Sequence, residues 1–597
     1  MELKNRSEMD PAYLWDLRHI FSSNEQWEEA LARTEAMIPT AEAVRGTLGK
    51  SAEALKNGLD AVYAVMEKLE PVYLYAMLAK SGDNGDAQNQ DRISRATRLL
   101  VRANAAVAFL EPEILSIPAE TLDSYRKDAG LSGYAHILDN IVRGRAHTLD
   151  ESRETILSKL TEPAEATSNA FEMLTNVDME FPTIRDDDGN EVRLTNGNFS
   201  VYKMSRKRDV RRQAFEQYFG TYKKYINTLA ELYGGSVKFD CFGAEVRGYA
   251  SAREAALFAN NVPVSVYDAL IEAVHGAFPT MKKYLQLRKR TLGLEKLDLY
   301  DLYVPMVADV DYPMPYADAK TLVRNALAPL GEDYQKLLDL AYDGGWIDVY
   351  ENKGKRSGAF SCGVHGTHPY VLLNYTDTLD DAFTLAHELG HAMHSYLSSQ
   401  TQDYANHDYR ILVAEVASTC NEVLLTMYLL RTETDPKRRA YILNHFLEGF
   451  RTTVFRQTLF AEFEMKSHAM QEQGEPLTAH ALSELYRNLA QQYYPGADVP
   501  ELMGAEWSYI PHFYTAFYVY QYATGFCSAV AIADHILSTG DAAGYRRFLT
   551  LGGSDYPLEE LKVAGVDLTN PDTVADALRV FDRTVWELDD LLKRISE

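Results

Sequence analysis

Cysteine is scarce in this sequence. The chain has four in 597 residues, Cys241, Cys362, Cys420 and Cys527, widely spaced and without a CxxC pair. That excludes a disulfide framework and a thiolate zinc site, and it implies a reducing, cytoplasmic setting. Basic charge is also in short supply, with 60 Lys and Arg against 86 Asp and Glu, a net charge of −26. Such a balance argues against nucleic acid or an anionic membrane as the main partner; it fits solubility and attraction of cationic substrates. The opening stretch "MELKNRSEMDPAYLWDL" lacks an apolar core, so no secretory signal is expected. Phe513 to Ala533 is free of charge and has the length of a membrane span. Yet Tyr514, Tyr518, Tyr520, Gln521, Tyr522, Thr524 and Ser528 fall within it, which reads as a buried helix beside a polar cleft. Regular repeats are missing too, which excludes a solenoid.

What is present is ordinary globular composition, 46% hydrophobic and 24% charged, enough for a sizeable core. Apolar residues at spacings of three and four dominate, as in "AEALKNGLDAVYAVMEKLEPVYLYAMLAK", so the chain reads as mainly α. Near Asn176 the texture changes. Asp188-Gly189 separates two short extended runs, which predicts a hairpin and a junction between an N-terminal helical lobe, 1–200, and a longer catalytic part, 201–597. Helices resume at "SRKRDVRRQAFEQYFGTYKKYINTLAELYGGSV". A glycine-broken β region follows from Gly345 to Tyr375, with "PYVLLNY" as a strand. It predicts a small sheet whose exposed backbone pairs with an extended peptide or serves only as a structural hairpin. Pro369 to Asn374 is the segment expected to hold that peptide.

Directly after it comes "LAHELGHAMHSYL". Thr378 with Asp381 three residues on predicts a helix start, and Ala382, Ala386, Leu389, Met393 and Leu397 continue the helical spacing. His387 and His391, four apart, share one face and can reach one ion. Glu388 lies about 100° around from His387, where a carboxylate can take a proton from water at the metal. Two imidazoles plus a carboxylate suit zinc, one per chain. The bland alternative, three polar groups paired inside a core, demands several further partners.

The third ligand must come from elsewhere. His394 is about 10 Å along the axis from His387, too far to share the ion, and is expected to pack beside the site. A metzincin would need Gly at 394 and His at 397, where this chain has His394 and Leu397. The next helix, "DYRILVAEVASTCNEVLLTMYLLR", carries Glu415 and Glu422 on one face, and small Ala414, Ala417 and Ser418 allow close approach. Glu415 is expected to ligate, and Glu422 to hydrogen-bond a ligating histidine.

"HELGHAMH" followed by "AEVASTCNEVL" resembles the M3 family of zinc metallopeptidases, within it the oligoendopeptidase F branch. "DPAYLWDLRHIF", "NVDMEFPTI", "GAFSCGVHGTHPYVLLNY", "GFRTTVFRQTLFAEFE" and "WSYIPHFYTAFYVYQYATG" agree, so the resemblance spans nearly the whole chain. It implies a clam-like, two-lobed helical fold around a deep substrate channel. It implies zinc on His387, His391 and Glu415, with Glu388 as general base. It further implies a histidine and tyrosines that stabilise the oxyanion, for which His512, Tyr518 and Tyr522 are the matching residues, the two tyrosines sharing a helix face. Short unstructured peptides, cut at internal bonds, are the implied substrates; oligomeric state stays open. Two other functions remain: a peptide-binding protein with a structural zinc, or a zinc amidohydrolase acting on a non-peptide amide.

Overall fold

The computed structural model describes residues 3–307, 310 and 312–596. The chain is mainly helical, as its periodicity predicts, with five short strands among the described residues. It forms two compact units that interleave along the sequence. The first comprises Met1–Ala146, Tyr312–Tyr428 and Ile532–Val566; the second comprises His147–Asp311, Leu429–Ala531 and Asp567–Glu597. Compactness thus divides the chain differently from a single boundary near residue 200.

In the first unit the long helices Ala52–Gly82 and Ala87–Val107 pack together through Val62, Val65, Leu69, Val72, Ala96, Leu99 and Ala103. Ser51 and Asp86 cap their N-termini by accepting backbone N–H bonds. A three-stranded sheet follows, β3 (Ile347–Asp348), β4 (Phe360–Cys362) and β5 (Tyr370–Leu372), in the order β3-β5-β4. β5 is parallel to β3 and antiparallel to β4. Leu74 and Leu78 of the Ala52–Gly82 helix bury Tyr370 and Leu372 of β5 together with Trp15. Asp348, fully buried, is paired by Arg6 at 2.5 Å and by Lys355 at 2.7 Å. The N-terminal segment and the sheet therefore share one core, which is why the first 146 residues belong with the sheet.

The strand reading needs one correction. The segment Pro369–Asn374 does contain a strand, but β5 is the central one and both its ladders are occupied. The flank of β3 is covered by the N-terminal segment, where Asp16 N donates to Gly345 O and Val349 N donates to Tyr13 O. The outer edge of β4 makes no backbone bond among the described residues. In this three-stranded sheet, among the described residues, it is β4 that retains an edge a further strand could use.

The second unit begins with the helix Glu151–Met173 and the predicted hairpin, β1 (Thr183–Arg185) and β2 (Glu191–Arg193), closed at Gly189 with φ +85°. The hairpin lies inside this unit, not at its border. Helices Arg208–Lys224, Ile226–Val246 and Arg456–Glu472 form much of its body. The charge-free stretch from Phe513 is not one helix. It opens with a short 3-10 turn, Pro511–Tyr514, and the helix starts at Tyr520. The break has a cause: Phe517 adopts φ +56°, and its N–H donates to the buried carboxylate of Glu464 at 3.0 Å. One helix among the described residues is long and apolar enough to cross a membrane, Ile411–Thr432, and most of its apolar window is buried in protein.

Candidate metal centre

The HExxH segment sits in a helix spanning Leu379–Thr401. The predicted cap is present: Thr378 Oγ1 accepts from Asp381 N at 3.2 Å, and Asp381 Oδ2 accepts from Thr378 N at 3.0 Å. Beside it runs the helix Ile411–Thr432. Two contacts set their approach. Gly390 lies against Ala417 and Ser418 so closely that a Cβ there would stand 2.5 Å from Ser418 Cα. Asn421 Nδ2 donates to the Ala386 carbonyl at 3.0 Å and its Oδ1 accepts from Tyr334 OH at 3.2 Å. Small residues on the second helix were legible in the sequence; Gly390 and Asn421 were missed. A glycine inside a strong helical pattern was the available signal for the first. For Asn421, only its place in an apolar helix hinted at a role.

This approach brings His387, His391 and Glu415 together, with one ligand atom from each lying within 4.8 Å of the others. Glu415 Oε2 is 3.6 Å from His387 Nε2 and 3.8 Å from His391 Nε2. The two rings are 4.9 Å apart and nearly perpendicular at 81°. Ser418 Oγ donates to Glu415 Oε2 at 3.2 Å and steadies the carboxylate. His387 Nδ1 lies 2.5 Å from Glu422 Oε1, so the N–H on Nδ1 donates to Glu422 and Nε2 is the atom that faces Glu415. Burial opposes a charge on either histidine. At His387 the Glu422 hydrogen bond overrides burial and raises the pKa to about 9. His391, lacking such a partner and facing His387, is pushed down to about 3. The donor set of two imidazoles and a carboxylate fits a divalent transition metal.

Glu388, 6% exposed, is not one of the three residues whose ligand atoms converge, and it accepts no hydrogen bond among the described residues. Burial raises its pKa to about 7; His387 opposes this, and Glu415 and Glu422 reinforce it. Cys362 of β4 is close enough for Glu388 to add to the burial that drives its thiol up to about 12. His394 is absent from the cluster: it is buried and stacks on Tyr409 at 3.7 Å between ring centres.

The remaining sequence candidates cluster in the second unit. The rings of His512, Tyr518 and Tyr522 form a triangle with centroid separations of 5.8, 5.9 and 5.5 Å. Tyr518 and Tyr522 do not share a helix face, because Tyr518 precedes the helix; the Phe517 turn instead brings it against Tyr522. His512 is exposed and both tyrosines are half-buried.

A mainly helical chain in which an HExxH helix and its neighbour bring two histidines and a glutamate close enough to hold one ion has the arrangement of a metallopeptidase. The family model for Peptidase family M3 matches residues 201–580, and one for Oligopeptidase F matches residues 113–181. The chain belongs to peptidase family M3 and is a metallo-oligopeptidase. It is 42% identical to Oligopeptidase PepF of Bacillus subtilis, over 100% of this chain and 90% of that protein. It is 39% identical to an Oligoendopeptidase F homolog of Lactococcus lactis, over 99% of both. Among solved structures, oligoendopeptidase-F from Enterococcus faecium matches with a TM-score of 0.75 and 37% identity, over 96% of this chain and 99% of that one. A chain from Chlamydophila abortus matches with a TM-score of 0.93 and 34% identity, over 99% and 100%. Membership in a peptidase family favours peptide hydrolysis over a non-catalytic zinc protein or a non-peptide amidohydrolase.

Proposed function

We propose that this protein hydrolyses internal bonds of short unstructured peptides at a single zinc ion held by His387, His391 and Glu415. The observation that carries this reading is the convergence of two imidazole Nε2 atoms on Glu415 Oε2, at 3.6 and 3.8 Å, beside a buried free carboxylate. Zinc bound there would supply a Lewis acid that makes water acidic near neutrality. Glu388 would take up the proton at its carboxylate. Its raised pKa, about 7, suits a group that must take a proton and then give it to the leaving amine. Glu422 holds His387 in the tautomer that presents Nε2. The free edge of β4, Phe360–Cys362, aligns the substrate backbone in the extended form, the role first expected of Pro369–Asn374. His512, Tyr518 and Tyr522 take the oxyanion-stabilising role that the family resemblance implies, and removing one such donor costs about 10²–10³ in rate.

A quenched internal-bond peptide tests the proposal. Turnover should stop when a chelator is added and return with zinc. Uninterrupted cleavage in excess chelator would refute it.

A further inference from the structure

The motif "GFRTTVFRQTLFAEFE", Gly449 to Glu464, is used by neither the metal centre nor the free edge of β4. Its second half opens the helix Arg456–Glu472. Arg456, Phe460, Glu464 and His468 follow one another every four residues there, with Phe463 beside them, and form a stripe on one side of the helix. The segment that carries His512 and Tyr518 lies along this stripe, wholly inside the second compact unit. Tyr509 OH accepts from Arg456 at 2.6 Å, and Glu506 accepts from the same guanidinium at 2.7 Å. The Phe513 ring, 1% exposed, packs on Phe460 and Phe463 with ring centres 5.4 and 5.2 Å away. Phe517 N–H donates to Glu464 Oε1 at 3.0 Å, and the Phe517 ring packs on His468 at 4.6 Å.

The anchors fall at 509, 513 and 517, every fourth residue, and the candidate functional side chains are their neighbours. His512 precedes Phe513 and Tyr518 follows Phe517; both anchoring phenylalanines are buried, whereas His512 and Tyr518 are not. Irregular backbone of this kind has little order of its own, and three points of attachment take that freedom away. The last anchor is the most elaborate. Phe517 is left-handed, with φ +56°, a conformation that a bulky residue keeps only where its surroundings enforce it. Glu464, fully buried, supplies the acceptor, and its other oxygen, Oε2, is buried without a partner. His468, 2% exposed, donates from Nδ1 to the Glu464 carbonyl at 2.8 Å, and its Nε2 lies 3.4 Å from Asp240 Oδ2 of the helix Ile226–Val246. A carboxyl buried for one backbone N–H, with half its hydrogen-bonding capacity unused, is more than packing requires.

We propose, resting on the oxyanion role given above to His512 and Tyr518, that Glu464 is a positioning residue: through the Phe517 N–H it fixes where the Tyr518 hydroxyl stands. The contact of Phe513 with Phe460 and Phe463 does the same for His512. Glu464 acts through the turn and not on the substrate.

A double-mutant cycle, read by steady-state kinetics of the zinc-loaded full chain on a quenched peptide, tests it. Tyr518→Phe should lower kcat by about 10²–10³. Glu464→Ala should lower kcat by about tenfold or more with KM nearly constant, the mark of a displaced group. Glu464→Gln, whose amide oxygen still accepts the Phe517 N–H, should keep most of the rate. In the Tyr518→Phe background Glu464→Ala should cost almost nothing further, because a displaced hydroxyl and a missing one are the same loss. Phe513→Leu, a milder change of the core, should behave likewise against His512→Ala. A merely structural Glu464 would lower kcat by the same factor in both backgrounds. That additive result, or wild-type kcat in both folded Glu464→Ala and Phe513→Leu, would overturn the proposal. Crystal structures keep its failure apart from that of the oxyanion reading: full activity of Tyr518→Phe refutes the oxyanion role, whereas a Tyr518 that has not moved in Glu464→Ala refutes the positioning.

Discussion

At the scale of single residues, the account separates holding the metal from moving the proton. Glu388 is outside the converging trio of His387, His391 and Glu415, and its buried carboxylate accepts no hydrogen bond among the described residues. Glu388→Gln should therefore keep its zinc, measured by mass spectrometry of the metal, while kcat falls by about 10²–10⁴. Glu422 acts through His387. Glu422→Gln should weaken zinc affinity by about 10–100-fold, read by chelator competition, with a smaller loss of kcat once zinc is saturating. The placement of these residues was legible because a helix repeats every 3.6 residues: positions 387 and 391 must share a face, and 415 and 422 must share another. Gly390 and Asn421 were not legible as determinants, since what they touch is set by the pairing of two helices and not by either helix alone.

At the scale of elements, the two site helices are held at backbone contact. Gly390→Ala would place a methyl 2.5 Å from Ser418 Cα and 2.6 Å from Ala417 O, atoms that cannot rotate away. It should destabilise the protein by about 1–3 kcal/mol or more, the usual penalty for overpacking, and lower zinc affinity in the same variant. Thermal unfolding with and without zinc checks both, and unchanged values would show that the helices do not need this contact. A second element depends on a hydrogen bond. Glu464, fully buried, has its pKa raised well above the ordinary carboxylate value by burial, and its side chain anchors the left-handed Phe517. Glu464→Gln should preserve the turn, whereas Glu464→Ala should loosen it, seen as faster hydrogen exchange at residues 515–519. The break at Phe517 was hidden in the sequence because an aromatic residue gives no sign of a positive φ. The strand order was hidden for a related reason: the apolar run "PYVLLNY" marks β5 as a strand, but its central place depends on its pairing with both β3 and β4.

At the scale of the whole molecule, the helical class and the small sheet beside the HExxH helix were readable from periodicity, while the division into compact units was not. The sheet buries Leu74 and Leu78 of an early helix, a long-range pairing without a local sequence mark. Acid stability belongs to this scale as well. Burial would raise Glu448, but Arg288 and Arg451 outweigh it and hold its pKa at about 2. A carboxylate depressed on folding stabilises the native state above its unfolded pKa and loses that contribution as pH falls through the folded value. The native state should thus lose stability between about pH 4.5 and about pH 2. The gap in denaturation midpoint between wild type and Glu448→Gln should be widest near neutrality and should narrow across that window. A gap independent of pH would remove Glu448 from the account.

The central claim is a zinc ion shared by three named side chains. Anomalous diffraction at the zinc edge from crystals of active protein tests it most directly. The account predicts one peak per chain, bonded to His387 Nε2, His391 Nε2 and Glu415 at about 2.0–2.2 Å. Active protein with no such peak, or with its only peak held by other residues, would contradict it.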